Sequence, residues 1–475
     1  MVDLPDKATA FVDWYLAAVE AAELTDKRYP VKGMNVWPPY GLAARRLLDG
    51  VLVRAIEATG SSAVEFPTLI PRTEFQKEAE HIKGFEGEVF WVTRGGTSEL
   101  DIPLALRPTS ETAMYPIFAL WVRSHRDLPL NVYQIVNTFR YDTKTTRPFF
   151  RVREIHFFEE HTCQLDEAGG VGRVRSNLAA FRQMAEAFAL PYVTLRRPDW
   201  DKFPGARYSL AFDSPLGGPH TSQLGTVHYY HENFARPYQI QYEAADGTQR
   251  FVHQTTFGLS ERLLGGIVAV HGDAKGVVLP TAVAPYEVVI VPVVTAASGD
   301  APLEAARAHA DRLRRHGRRV HLDTRDDRPG AKYYHWEARG VPLRLEVGRR
   351  EAEQGSVTAV DRLGRRSTIA ADVLEAEVAA RLADFDAALR ARARAQFRDR
   401  FRVVRSQAEL PGSATVAVLS WCGREACGHA IETAIDGALL GTPEEELPIP
   451  VDAPGPCVAC GETAEARWAV AARPI

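Results

Sequence analysis

Residues 41–59 place apolar side chains at the 3.6-residue spacing of an amphipathic helix, and Gly60 closes the run. SAVEFPTLI then predicts a strand. It carries Pro67, which has no N–H for a ladder, so the strand belongs at an edge or interface. Runs around VYQIVNTFRYD, RVREIHFFEEHT, TVHYYHENF and RPYQIQYEA alternate apolar and polar positions and are rich in aromatics, which predicts a largely antiparallel sheet. From Ala284 the pattern changes. EVVIVPVV reads as a buried strand, 302–316 as a helix, RRVHLDT as a strand, 331–339 as a helix and PLRLEVG as a strand. That βαβ order predicts a small, mostly parallel α/β domain. Residues 371–400, rich in Ala, Arg, Asp and Glu, predict a polar helix leading to a last segment. The expected division is 1–283, 284–375 and 376–475, a multidomain chain of α+β and α/β parts.

Composition narrows the class. With 475 residues, 45% hydrophobic and 25% charged, the chain can bury several cores and has the balance of a soluble globular protein. The start, MVDLPDKATAFVDWYL, lacks a basic stretch followed by an apolar core, so no signal peptide is expected. The longest apolar run, Val288 to Val294, is too short to cross a bilayer. A cytoplasmic protein with no membrane partner is expected. A net charge of -4 neither indicates nor excludes RNA binding, because a basic face can sit on an acidic whole.

Of five cysteines, four fall near the C-terminal end, in CGREAC (Cys422, Cys427) and CVAC (Cys457, Cys460). Two such pairs suit a closed tetrahedral zinc site with four thiolates, structural rather than catalytic. An empty or redox pair is the alternative, and His429 is a rival ligand. Cys163 is expected to be a packed core thiol.

Four other strings carry chemistry. NTFRYDTKTTRPFFRVREIHFFEEHT sets Arg140 and Arg151 on two strand-like runs flanking a polar loop. A hairpin would bring both guanidiniums to one surface suited to phosphate or carboxylate, although a solvated basic hairpin has the same signature. In TTFGLSERLLGGIVAVHGD, Arg262 starts a glycine-bordered helix and could stack on a purine, or simply lie on the surface. ALRPTSETAMYP presents Thr109 and Glu111 at i and i+2, suited to grip an ammonium if the segment is extended; Thr109 or Ser110 could equally cap a helix. In QLGTVHYYHENF, Thr226 and His228 share a strand face, with Gln223 just before the strand. A lone histidine there is more often a packed one.

Taken in order, FPTLIP, RPTSET, FR with a second Arg at 151, QLGTVH and GLSERLLGG…HGD resemble the signature of class II aminoacyl-tRNA synthetases. They are most similar to prolyl-tRNA synthetases of the archaeal and eukaryotic type, and the resemblance spans essentially the whole chain. The short spacing between the second and third motifs leaves no room for the editing insertion of many bacterial members. The resemblance implies a class II antiparallel-sheet catalytic core, an α/β anticodon-binding domain and a small C-terminal α+β zinc domain. It implies ATP with magnesium, L-proline and tRNA as ligands, and a homodimer with Pro67 at its interface. It places Arg140 between the amino-acid carboxylate and the α-phosphate, Arg151 on the outer phosphates and Arg262 on adenine. Asp142, Gln223 and Thr226 fall at the nucleotide. Thr109 and Glu111 fall on the proline nitrogen, and Phe157, Phe203, His228 and Thr256 around the proline ring. In the anticodon-binding domain it implies tRNA contacts at Arg325, Lys332, Glu337 and Arg344.

Several matched positions depart from the family. Asp142 stands for a Glu, Ile155 for an aromatic over adenine, Phe157 and Phe257 for Trp, Thr256 for Ser, Glu160 for Gly, and Ile475 for a Tyr at the last position. Smaller side chains in the site leave open a proline analogue as substrate, or exclusion of an inhibitor. A catalytically silent tRNA-binding relative would have to lose the phosphate-binding arginines, and Arg140, Arg151 and Arg262 are all present.

Overall fold

A computed structural model describes residues 4–77, 87–141, 145–218, 220–410 and 416–475. Among these residues the dominant element is an eleven-stranded sheet. Its first seven strands run in the order Ser62–Ala63, Leu130–Phe139, Glu154–Gln164, His253–Ser260, His220–His231, Tyr208–Pro215 and Val193–Arg196. Every pairing among them is antiparallel except that of Ser62–Ala63 with Leu130–Phe139. Helices Phe11–Ala21, Pro39–Glu57, Glu167–Ala187 and Arg262–His271 cover one face with a single apolar core, in which Phe181 and Phe212 stack 3.7 Å apart. Alternation along the strands sends Phe158, Tyr229 and Phe257 into that core and Phe157, His228 and Thr256 to the other face.

The expected strand through SAVEFPTLI is broken. Ser62–Ala63 and Leu69–Pro71 join different sheets, and Pro67 lies between them. The backbone there is held by side chains: Gln134 Oε1 accepts from the Phe66 N–H at 2.9 Å, and Arg107 donates to the Phe66 and Pro67 carbonyls. RPYQIQYEA also differs, giving a helical turn Ala235–Tyr238 and then Gln241–Glu243 in a separate hairpin with Gln249–Phe251.

The second body is a five-stranded sheet in the order Val320–Leu322, Val288–Pro292, Leu343–Val347, Ser356–Asp361 and Arg366–Ala370. The first three strands are parallel, as expected. The last two add antiparallel, so the sheet is mixed rather than mostly parallel. A tight turn at Gly364, with φ +88°, folds VTAVDRLGRRSTIA into that hairpin without the helix a parallel return would need.

The polar helix Leu374–Arg398 leads to four more strands, and these are not a separate sheet. Ala438–Pro443 pairs with Val193–Arg196, and Arg467–Pro474 runs parallel to His220–His231 through Arg473 and Pro474. The C-terminal segment therefore extends the edge of the seven-stranded part. No helix among the described residues is long and apolar enough to cross a membrane.

Candidate active site

A cavity of about 520 Å³ opens on the uncovered face of the catalytic sheet. Arg140, Arg151 and Arg262 all line it, with Thr109, Glu111, Phe157, Phe203, Gln223, Thr226, His228 and Thr256. Of the expected catalytic-site residues, Asp142 alone lies outside the described residues.

Each arginine is fixed through Nε to a backbone carbonyl: Arg140 to Pro108 at 3.0 Å, Arg151 to Ile475 at 2.9 Å and Arg262 to Phe150 at 3.1 Å. One such bond orients the whole planar guanidinium and lowers the entropy lost when it grips an anion. Arg140 and Arg151 sit just outside the paired strands, in their connecting loop, where Arg140 N–H bonds the Arg153 carbonyl. Arg262 opens its helix as expected. A Cβ on Gly265 would approach Phe149 and Phe150 to 3.1 Å, so glycine there lets the helix settle on the loop.

Thr109 and Glu111 do not lie on an extended segment. Glu111 is the first residue of helix Glu111–Trp121, and Ser110 precedes it without capping it, its hydroxyl being drawn to Glu159. The turn folds Thr109 Oγ1 onto one Glu111 carboxylate oxygen, and Tyr230 donates to the other at 2.7 Å. Glu111 is thus buried and fixed at the cavity edge.

Behind this pair lies a buried charge system. Glu159 accepts from Ser110, from Gln134 at 2.9 Å and from His161 Nε2 at 3.1 Å. Burial opposes ionisation of Glu159, yet these donors hold it down at about 2. Burial likewise opposes protonation of His161, and the bond to Glu159 with the charge of Glu111 outweighs it, leaving the imidazole above its ordinary value. His228 is different: burial first, then the charge of Arg140, pulls it down to about 3. It is a neutral ring, bonded through Nδ1 to Ser209 at 2.8 Å and lying 4.7 Å from Phe203, and it forms an aromatic wall.

Gln223 lies within its strand, not before it. A bulge opposite Phe212 and Asp213 inserts one residue, which turns Gln223 to the same face as Thr226 and His228. Arg197 and Asp213 are cavity residues that the sequence reading missed. Arg197, almost fully buried, donates to Asp213 at 2.9 Å, Gln223 at 3.0 Å and the Leu440 carbonyl. A charged residue inside the apolar run SLAFDSP was the available signal. Of the departures, Ile155, Phe157, Thr256 and Ile475 line the cavity. Phe257 and Glu160 point to the opposite side, into the apolar core and onto Arg173 respectively.

In the five-stranded domain, Arg325 forms a two-point pair with Asp323 and remains exposed. Glu337 is half-buried beside Arg344 and Lys275. Lys332 is buried, donating to the Asp323 carbonyl at 3.2 Å, and Arg344 is held by Glu346 at 3.0 Å over the Tyr333 ring.

The sulfur atoms of Cys422, Cys427, Cys457 and Cys460 all lie within 4.8 Å of one another. Tetrahedral zinc–thiolate geometry separates sulfurs by roughly 3.8 Å, and Cys422 and Cys460 are 3.9 Å apart. Arg424 donates to both of these, at 3.3 and 2.9 Å, supporting negative sulfur. His429 is not among the converging groups; Glu432 holds it at 2.7 Å. Cys163 is fully buried.

The fold and cavity define a class II aminoacyl-tRNA synthetase core with an anticodon-binding domain. Residues 90–271 match the family described as tRNA synthetase class II core domain (G, H, P, S and T), and residues 287–381 match the Anticodon binding domain. Over 461 residues, 96% of each chain, it is 48% identical to the proline–tRNA ligase of Methanoculleus marisnigri. It is 47% identical to that of Thermococcus kodakarensis over 97% of each. The Giardia lamblia prolyl-tRNA synthetase in complex with prolyl-adenylate superposes with TM-score 0.95 at 32% identity, covering all of both chains. The Cryptosporidium parvum enzyme complexed with halofuginone and AMPPNP gives 0.92 at 30% identity, covering 100% of this chain and 99% of that one. The chain belongs to the proline–tRNA ligase family of class II synthetases.

Proposed function

We propose that this cavity activates L-proline with ATP and passes it to tRNA, with the roles divided as follows. Glu111 and Thr109 hold the secondary ammonium of proline, and His228, Phe203, Phe157 and Thr256 enclose its ring. Arg140 stands between that pocket and the nucleotide and holds the carboxylate against the α-phosphorus. The carboxylate oxygen attacks, the bond to the bridging oxygen breaks, and pyrophosphate leaves. Arg151 holds the outer phosphates, Arg262 stacks on adenine, and Thr226 and Gln223 line the nucleotide side. Charge builds on phosphoryl oxygens, so positioning and cationic stabilisation suffice and no general base is needed. Magnesium would neutralise phosphate charge when bound, held chiefly by the phosphate oxygens themselves, with Gln223 on the adjoining wall. A terminal hydroxyl of tRNA then attacks the acyl carbon and releases AMP.

One observation carries this reading: three carbonyl-anchored arginines share a cavity with the Thr109–Glu111 pair. Pyrophosphate exchange against a panel of amino acids and proline analogues tests it. Proline should be the best substrate, and Arg140→Ala should abolish exchange while leaving the fold intact. A better analogue, or wild-type exchange by the variant, would overturn it.

For tRNA, Arg325 and Glu337 are the side chains placed to reach nucleotides, while Lys332 and Arg344 hold the surface that presents them. The four cysteines would bind structural zinc. Assembly as a homodimer and residence in the cytoplasm follow from the family reading, and the functional units remain 1–283, 284–375 and 376–475.

A further inference from the structure

The loop 197–207, between Val193–Arg196 and Tyr208–Pro215, supplies Asp201, Lys202, Phe203 and Pro204 to the cavity wall. Trp200 packs into the apolar cluster that contains Cys422, Cys427 and Cys457. Its ring meets Trp421 edge-on at 5.8 Å and His429 at 4.9 Å, and its Nε1 donates to Glu432 at 3.3 Å. His429 and Glu432 lie on helix Glu425–Ile435, which also carries Cys427. Gly428, directly before His429, forms the floor of the slot: a Cβ there would lie 2.4 Å from the indole. Arg197 makes a second tie across the same boundary, to the Leu440 carbonyl. Three residues beyond Trp200, the Phe203 N–H bonds Ser209 at 3.0 Å, and that hydroxyl also bonds His228.

We propose that Trp200 is a positioning residue for the amino-acid pocket, through which the cysteine-bearing C-terminal domain sets the placement of Phe203. The inference rests on the proline-activation reading and deepens it. An indole held between Trp421 and His429 over a glycine floor allows little rotation, so the short span to Phe203 transmits the docking geometry. Loss of the indole removes the C-terminal domain's hold on the loop and leaves Phe203 to Ser209, His228 and Tyr230 on the catalytic side. The ring wall then loosens, while Arg140 and Arg262, held by Pro108 and Phe150, and Arg151, held through the end of strand Arg467–Pro474 and not through the Trp200 slot, keep the nucleotide site.

Steady-state pyrophosphate exchange, varying proline and ATP separately, tests this on the full-length chain with metal content measured in parallel. A small misfit in an apolar pocket wall costs on the order of tenfold or more, so Trp200→Ala and Gly428→Val should each raise KM for proline by about that factor. KM for ATP should stay within about twofold and the zinc content should be unchanged. Trp200→Phe, which keeps a ring in the slot, should recover most of the loss. Folded, metal-loaded variants whose KM for proline stays within twofold of wild type would overturn the proposal, as would equal rises for proline and ATP. Should Trp200→Ala fail to fold, Gly428→Ala, which adds one methyl, decides by the same criteria. Absence of proline exchange in the unaltered chain would remove the underlying reading and this inference together.

Discussion

Glu111 shows how a single carboxylate acquires a function from its surroundings. Both oxygens are occupied, by Thr109 and Tyr230, and the side chain is fully buried. A fixed buried carboxylate attracts a cation that enters with its own hydrogen-bond donors. Glu111→Gln keeps the shape and removes the charge; it should raise KM for proline by about tenfold or more with KM for ATP little changed, as exchange kinetics would show. Glu261, one residue before Arg262, is buried with one oxygen unbonded, and burial pushes it up to about 8. Raised above its unfolded value near 4.5, the group contributes stability fully present below pH 4.5 and lost as pH rises through 8. Denaturant midpoints should fall less from pH 5 to 8 in Glu261→Gln than in the wild type. Equal slopes would mean that Glu261 is not held protonated.

Among elements, helix Glu167–Ala187 shows how a departure from the family is absorbed. Glu160 stands on the core side of its strand, where the buried carboxylate meets Arg173, Asn177 at 2.8 Å and Ser61. Arg173 also donates to the Thr59 carbonyl at 2.9 Å, so one ion pair joins sheet, helix and the end of Pro39–Glu57. Removing one member of a buried pair leaves the other uncompensated, which typically costs 3–5 kcal/mol. Glu160→Ala should lose about that much in equilibrium urea unfolding; a loss under about 1 kcal/mol would show that water reaches Arg173. The position is thus structural, although the sequence grouped it with active-site changes.

For the whole molecule, the continuous sheet matters most. Because Arg467–Pro474 pairs with His220–His231, Pro474 and Ile475 reach the cavity, and the Ile475 carbonyl orients Arg151. Disorder in the cysteine domain should therefore be felt at the nucleotide. Cys457→Ser should lower bound zinc, speed amide exchange in Val416–Trp421 and Arg467–Pro474, and raise KM for ATP. Unchanged metal content would reject the four-thiolate site.

The motif residues and domain order were legible in the amino-acid sequence because class II chemistry needs particular groups at near-fixed spacing. Periodicity likewise showed the helix over 41–59, and composition those over 302–316 and 371–400, because both signals are local. What periodicity cannot show is which distant groups meet. The helix turn that folds Thr109 onto Glu111, the bulge that turns Gln223 inward, and the burial of Lys332 and Glu160 depend on neighbours far along the chain. Tertiary structure alone joined the cysteine domain to the catalytic sheet, since strand edges pair by backbone hydrogen bonds that no side-chain pattern records.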